Sequence, residues 1–189
     1  MLGQSAFDRV CQETFTTVLD IGCGQGTHSE LFRELGKTVT SIDLSGRYSK
    51  AIQANYIDYE FEELFDCVWC CHVLEHQHNV QQFLQKVHGE LKENGILAIT
   101  VPPLKHEIVG GHVTLWNAGL LIYNLVLAGF DCKQAKIKTI DYDVSVILNK
   151  KSITLPELVH DRGDIETLSP YFPDFFYHGV NGKIEEYNW

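Results

Sequence analysis

The sequence predicts an α/β fold whose strands run mostly parallel. Three observations carry that reading. Val18-Leu19-Asp20-Ile21 is a short strand that runs into alternating glycines, Gly22, Gly24 and Gly26, and then into apolar residues at helical spacing, Leu31, Phe32 and Leu35. Phe65 to Cys71, FDCVWCC, is almost free of polar side chains, as strands covered on both faces are. After it Val80, Phe83, Leu84, Val87 and Leu91 fall at i, i+3, i+4, i+7 and i+11, and a further apolar run, Ile96 to Val101, follows. Strands that alternate with helices are joined by crossovers, the connection that parallel neighbours require.

Residues 1–17 hold one short helix with Phe7, Val10, Cys11 and Phe15 on its apolar side. The first strand is Val18 to Ile21. Thr27 caps a helix from His28 to Leu35, which Gly36 ends. Thr38 to Ile42 is a β-branched second strand that ends in Asp43, and Asp43 or Ser45 can cap a helix over 46–54. Tyr56 to Phe61 alternates and reads as the third strand; Phe65 to Cys71 is the fourth. The helix that starts near Val80 is stopped by Asn94-Gly95, and the fifth strand, Ile96 to Val101, by Pro102-Pro103. Lys105 to Val113 is a loop. Thr114 caps a helix from Leu115 to Ala128, with Gly129 just past its end. Cys132 to Ile140 and Val144 to Leu148 form a hairpin around Asp141-Tyr142-Asp143. From Ser152 the periodicity is lost. We therefore divide the chain into a domain over 1–150 and an irregular tail over 151–189. The tail's Tyr171, Phe172, Phe175, Phe176 and Tyr177 are expected to pack on the domain or on a second copy in a homodimer.

A chain of 189 residues with 44% hydrophobic content is long enough for one domain with a sizeable core. The net charge of −10, without a basic cluster, argues against nucleic acid as a partner. No charged segment followed by an apolar one opens the chain, and no stretch is apolar enough to span a bilayer. The six cysteines sit in or beside apolar segments, as reduced core thiols do. A cytoplasmic protein without membrane contact is expected.

The chemistry starts at the glycines. They let a ligand approach the backbone without meeting a Cβ, at the carboxyl end of a strand. The spacing is G-x-G-x-G, not the G-x-G-x-x-G of a dinucleotide site, and Asp20 stands two residues before Gly22. A carboxylate there suits a cationic ligand group better than a phosphate.

VLDIGCGQG closely resembles the first motif of class I S-adenosylmethionine-dependent methyltransferases, D/E-x-G-x-G-x-G. VTSIDLS resembles their second motif. The pattern FDxV…VLEH…LKENGILAITVP resembles their fourth and fifth strand region, particularly in the small-molecule branch. The resemblance runs from about Val18 to Ile147. It implies a Rossmann-like, doubly wound sheet of seven strands whose last pair contains one antiparallel strand. It also implies S-adenosylmethionine as cofactor and methyl transfer to a small molecule or a sugar or lipid precursor. By that resemblance the cofactor lies across Gly22, Cys23, Gly24 and Gly26, with Asp20 and Gly22 near its methionine end. Asp43 takes the ribose and Asp58 the adenine amino group with Tyr59 near the ring, Cys71 and His72 lie beside the sulfonium, and Leu44 also contacts the cofactor.

Methyl transfer needs positioning more than any particular catalytic group. A hydroxyl acceptor gains from a base, and histidine titrates in the right range. His112 is the first candidate as base or acceptor ligand, followed by His72 and His76; His106 lies on the same edge. No metal is assigned. Three other readings compete. His72-Val73-Leu74-Glu75-His76 is the H-x-x-E-H pattern of a zinc peptidase. A nicotinamide-dependent oxidoreductase also uses a glycine loop, and a non-catalytic binding protein could keep the fold.

Overall fold

The computed structural model describes residues 1–174 and 182–189. Phe175, Phe176 and Tyr177 of the expected aromatic tail lie outside them. The elements are α1 (Gln4–Val10), β1 (Thr17–Ile21), α2 (Thr27–Glu34), β2 (Thr38–Asp43), β3 (Ile52–Gln53), β4 (Phe65–Cys71), α3 (Val80–Glu90), β5 (Leu91–Val101), α4 (Ala118–Leu127), β6 (Lys136–Ile140), β7 (Asp143–Asn149), α5 (Asp164–Leu168) and β8 (Glu186–Tyr187). The strands form one sheet in the order β3-β2-β1-β4-β5-β7-β6-β8. β1 to β5 pair in parallel, and β7 runs antiparallel to both β5 and β6.

Both faces of the sheet are covered, as the apolar run of β4 from Cys67 to Cys71 requires. Phe32 of α2 packs with α1, Trp69 and Ile147 on one face. Phe83 and Leu84 of α3 and Leu121, Ile122 and Leu125 of α4 pack on the other. The chain moves outward from β1 in one direction and from β4 in the other. The strand order thus reverses between β1 and β4, and that reversal opens a crevice at the strands' carboxyl ends.

The expected architecture holds, with local differences that have physical causes. Among the described residues the sheet has eight strands rather than seven, because β8 of the tail pairs antiparallel with β6. The rest of the described tail folds back: Leu168 and Phe172 are fully buried in the α3–α4 core. The third strand is Ile52–Gln53, not Tyr56 to Phe61. A strand there would put Tyr56, Asp58 and Glu60 on one face, so burying Tyr56 would bury two acids. The chain makes a 3-10 turn over Tyr56–Asp58 instead, and the Asn55 side chain accepts the Ile57 N–H. Tyr56 reaches the core alone, edge-on to Phe83.

No helix forms over 46–54. β3 pairs beside the end of β2, Ile52 with Ile42, and the intervening residues form only a polar loop. α2 is entered through Gly26, not capped by Thr27. α3 ends at Glu90, and β5 begins at once instead of at Ile96. Lys150 closes that helix end: its Nζ donates to the carbonyls of His88 and Leu91, at 2.6 and 2.8 Å. α4 starts at Ala118 because Asn117, not Thr114, caps it, accepting the Leu120 N–H at 2.8 Å. Thr114 is turned to Trp116 and the Leu74 carbonyl. β6 begins only at Lys136.

Candidate functional site

A cavity of about 410 Å³ occupies the crevice between β1 and β4. Gly22, Gly24, Asp43, Tyr56, His72 and Val73 contribute to its wall. Gly22 and Gly24 have φ of +69° and +56°. A Cβ on Gly22 would fall 2.3 Å from Val73 Cγ2, whereas one on Gly24 would meet nothing within 4 Å. Gly22 therefore lets the turn after β4 close against β1, and Gly24 leaves bare backbone facing open space.

Asp43 organises the second strand's end. Its Oδ2 accepts the Gly24 N–H at 2.8 Å; its Oδ1 accepts the Ser45 amide at 2.7 Å and the Ser45 hydroxyl at 2.5 Å. Burial alone would raise its pKa. The Ser45 and Gly24 donors, with Arg47 nearby, outweigh burial and hold it below the ordinary carboxylate range. Asp43 is thus an anion at neutral pH, and of its roughly four acceptor positions three are filled. The exposed Leu44 lies beside it on the wall.

Asp20 is placed differently from the sequence expectation. It lies beneath the loop, 2% exposed, and is not part of the cavity wall. Arg33 donates to Ser41 Oγ at 3.2 Å, the Ser41 and Ser29 hydroxyls are 2.8 Å apart, and Ser29 donates to Asp20 Oδ2 at 2.5 Å. Burial pushes Asp20 up to about 6, against the Ser29 bond and the Arg33 charge. The acid of the glycine motif thus ties the loop to α2 and β2.

Cys23 and Gly26 belong to the loop but not to the wall; Gly26 lies under the Tyr48 ring, and the Tyr48 hydroxyl bonds to Glu30 and Arg33. Burial drives the Cys23 thiol up to about 12. Asp58 is exposed and bonded to Asn55 Nδ2 at 2.7 Å, and Tyr59 packs on Phe61. Neither borders the cavity; Ala54, Asn55 and Tyr56 take that side. Cys71 packs toward Gly3, away from the wall, and its thiol is driven up by burial.

His72 does border the cavity. Its φ of +57° ends β4 abruptly and turns the imidazole toward β7. Nε2 is 2.8 Å from Asp143 Oδ1, and the ring stacks on Tyr142 at 5.8 Å. Burial would lower its pKa, but the Asp143 and Glu75 carboxylates raise it to about 9. His72 is therefore an imidazolium at neutral pH and a poor base there. The H-x-x-E-H residues lie on this turn and the 3-10 turn Leu74–His76, not on a helix. His72 faces Asp143, while His76 faces His112, with ring centroids 5.0 Å apart.

A second cavity, about 270 Å³, is lined by residues including Pro102, Lys105, His106, His112, Trp116 and Tyr142. It adjoins the first across the His72–Tyr142 stack and the His76–His112 pair. The arrangement can hold one ligand over the glycine loop and present its far end to another.

A family profile described as a methyltransferase domain matches residues 4–125. The chain belongs to that methyltransferase family. It is 35% identical over 97 residues to the ubiquinone biosynthesis O-methyltransferase of Rickettsia felis, covering 44% of this chain and 40% of the relative. With the enzyme of that name from Glaesserella parasuis it shares 31% over 103 residues, 44% of each chain. The chain thus spans less than half the length of these relatives. Among solved structures it resembles the Burkholderia thailandensis 1,6-didemethyltoxoflavin N1-methyltransferase, with a TM-score of 0.66, 19% identity, and 79% and 78% of the two chains covered. It also resembles the N-methyltransferase NodS of Bradyrhizobium japonicum, with a TM-score of 0.61, 16% identity, and 78% and 85% covered. These likenesses show the fold: the doubly wound methyltransferase sheet. Among the described residues no helix is long and apolar enough to cross a membrane.

Sequence reasoning missed Asn55, Tyr56, Val73, Tyr142 and Asp143. Val73 and Tyr56 carry no polar signal, and Asp143 reads locally as a turn residue. Its tie to His72 spans 71 positions of sequence, so nothing nearby betrays it.

Proposed function

We propose that this methyltransferase-family chain binds S-adenosylmethionine across the glycine loop and methylates a small molecule held in the second cavity. One observation carries the reading: the 410 Å³ cavity joins bare Gly24 backbone to the ionised Asp43 at the switch point of the sheet. When bound, the cofactor supplies an electrophilic methyl on a sulfonium. The chain's own residues then have three tasks. Asp43 accepts a ribose hydroxyl on its remaining acceptor position. Val73, Tyr56 and Phe83 exclude water from the first cavity. Trp116, Pro102 and Tyr142 shape the second for a partly apolar acceptor, with Lys105, His106 and His112 as polar contacts. Both O- and N-methyltransferases occur among the similar proteins. The reading includes a cytoplasmic setting and no nucleic acid, in keeping with the net charge of −10.

Calorimetric titration of the protein with S-adenosylhomocysteine and, separately, with NAD tests the cofactor. One equivalent of S-adenosylhomocysteine should bind in the micromolar range, and NAD should not compete. No heat with S-adenosylhomocysteine, or tighter binding of NAD, overturns the proposal.

A further inference from the structure

The turn after β4 and the loop after β5 bring together three donors that the cofactor reading leaves unused. Glu75 is fully buried, and neither of its carboxylate oxygens has a hydrogen-bond partner. Its Oε1 is 3.3 Å from His72 Nδ1 and 3.7 Å from His76 Nε2, without a donor aligned on it. The His72 imidazolium faces Oε1 as an ion pair, but with no hydrogen bond aligned on either oxygen the buried carboxylate keeps acceptor positions open. His76 is held by its other nitrogen: Nδ1 is 2.7 Å from the Gly111 carbonyl. That contact makes Nδ1 the protonated atom and turns a free lone pair at Nε2 toward Glu75, the arrangement in which ligating histidines are fixed by a backbone carbonyl. His112 stands edge-on to His76, and one donor atom from each of Glu75, His76 and His112 lies within 4.8 Å of the others. The two segments are locked in register, because the Val113 and Thr114 amides both donate to the Glu75 carbonyl.

We propose that Glu75, His76 and His112 bind one first-row divalent cation of the Zn²⁺ class. Two imidazoles and one carboxylate suit such an ion and leave coordination positions open. Donors on a tetrahedral Zn²⁺ stand roughly 3.3 Å apart, from bond lengths near 2.0–2.1 Å, so the three donors, within 4.8 Å of one another here, would draw together by up to about 1.5 Å on binding. The ion would sit between the two cavities, since His76 lines the first and His112 the second. Its open positions would then orient an acceptor oxygen or nitrogen and favour that atom's deprotonation. This last step rests on the proposed methyl transfer; the ion site itself does not. It also makes His112 a ligand rather than a free base.

The test starts from protein stripped with chelator and dialysed. It is titrated with Zn²⁺ by calorimetry and with Co²⁺ by visible absorption, alongside the Glu75→Gln and His112→Ala variants. The expected result is one equivalent of Zn²⁺ bound at micromolar affinity or tighter. Co²⁺ should give a d–d band of four- or five-coordinate type, and each variant should weaken binding at least tenfold. No stoichiometric binding, or affinity unchanged in both variants, overturns the proposal. Affinity for S-adenosylhomocysteine is measured on the same samples. It reports separately on the cofactor site and shows, for His112→Ala in particular, that a variant which loses the metal is still folded.

Discussion

Asp20→Asn separates a structural from a ligand-binding role for the motif's acid. The folded protein holds the Asp20 proton up to about pH 6, against an ordinary value of 3.8. A carboxyl whose folded pKa is raised binds its proton more tightly when folded. Stability is therefore lost as pH rises from about 4 to about 6, and it stays lost above. At 1.36 kcal/mol per pH unit the full penalty is about 3 kcal/mol. Asparagine keeps an acceptor for the Ser29 hydroxyl and carries no charge. Its amide protons, lacking partners in that buried site, cost about 1–3 kcal/mol at every pH. The offset therefore cancels when the variant is compared with wild type across pH. Urea unfolding followed by circular dichroism at pH 4, 5.5 and 7.5 should show the difference shifting by about 2–3 kcal/mol in favour of the variant. Because Asp20 does not border the cavity, affinity for S-adenosylhomocysteine should change less than tenfold. A stability difference that stays constant over this range refutes the reasoning. So does one that shifts toward wild type as pH rises, which would mean that the Ser29–Ser41–Arg33 chain favours the anion over its burial.

Gly22→Ala adds a methyl that collides with Val73 at a φ of +69°. It should cost about 2–4 kcal/mol, from left-handed strain and overpacking together, read as a lower urea midpoint. Gly24→Ala has room for its methyl and should cost only about 1–2 kcal/mol; the methyl borders the cavity, so S-adenosylhomocysteine affinity should fall more than stability does. Asp43→Ala removes the acceptor of three hydrogen bonds and should weaken S-adenosylhomocysteine at least about tenfold, about 1.4 kcal/mol. Lys150→Met leaves the His88 and Leu91 carbonyls without their donor and should lower stability by about 1–3 kcal/mol with cofactor affinity intact. A loss confined to affinity would refute it.

The parts of this fold that can be read from sequence are those decided by local chemistry. β4 is apolar apart from Asp66 at its entrance because both faces are covered, and its bounds follow directly. The glycine loop is legible because only a residue without a Cβ tolerates Val73 at that distance. The third strand is not legible. Tyr56 to Phe61 alternates as a strand should, yet the Phe83 ring offers Tyr56 a place that no alternating backbone can reach without burying Asp58. α4's start is likewise decided at a distance: Thr114 is as good a cap as Asn117, but the Leu74 carbonyl and Trp116 have already claimed it.

The site divides along the same line. Asp43 can be read because it ends a strand beside the loop it serves, 19 positions from Gly24. The motif's acid can be found but its role cannot, since whether a carboxylate points into a cavity or under a loop depends on Ser29 one helix away. The histidines are the extreme case. His72 and His76 are four residues apart and read as a pair, yet a single backbone turn at φ +57° sends one to Asp143 on β7 and the other to His112. A pattern of side chains in sequence becomes a chemical unit only when the backbone between them is regular. Here it is not, and that irregularity gives the first cavity an imidazolium while leaving Glu75 without a hydrogen-bond partner beside two other imidazoles.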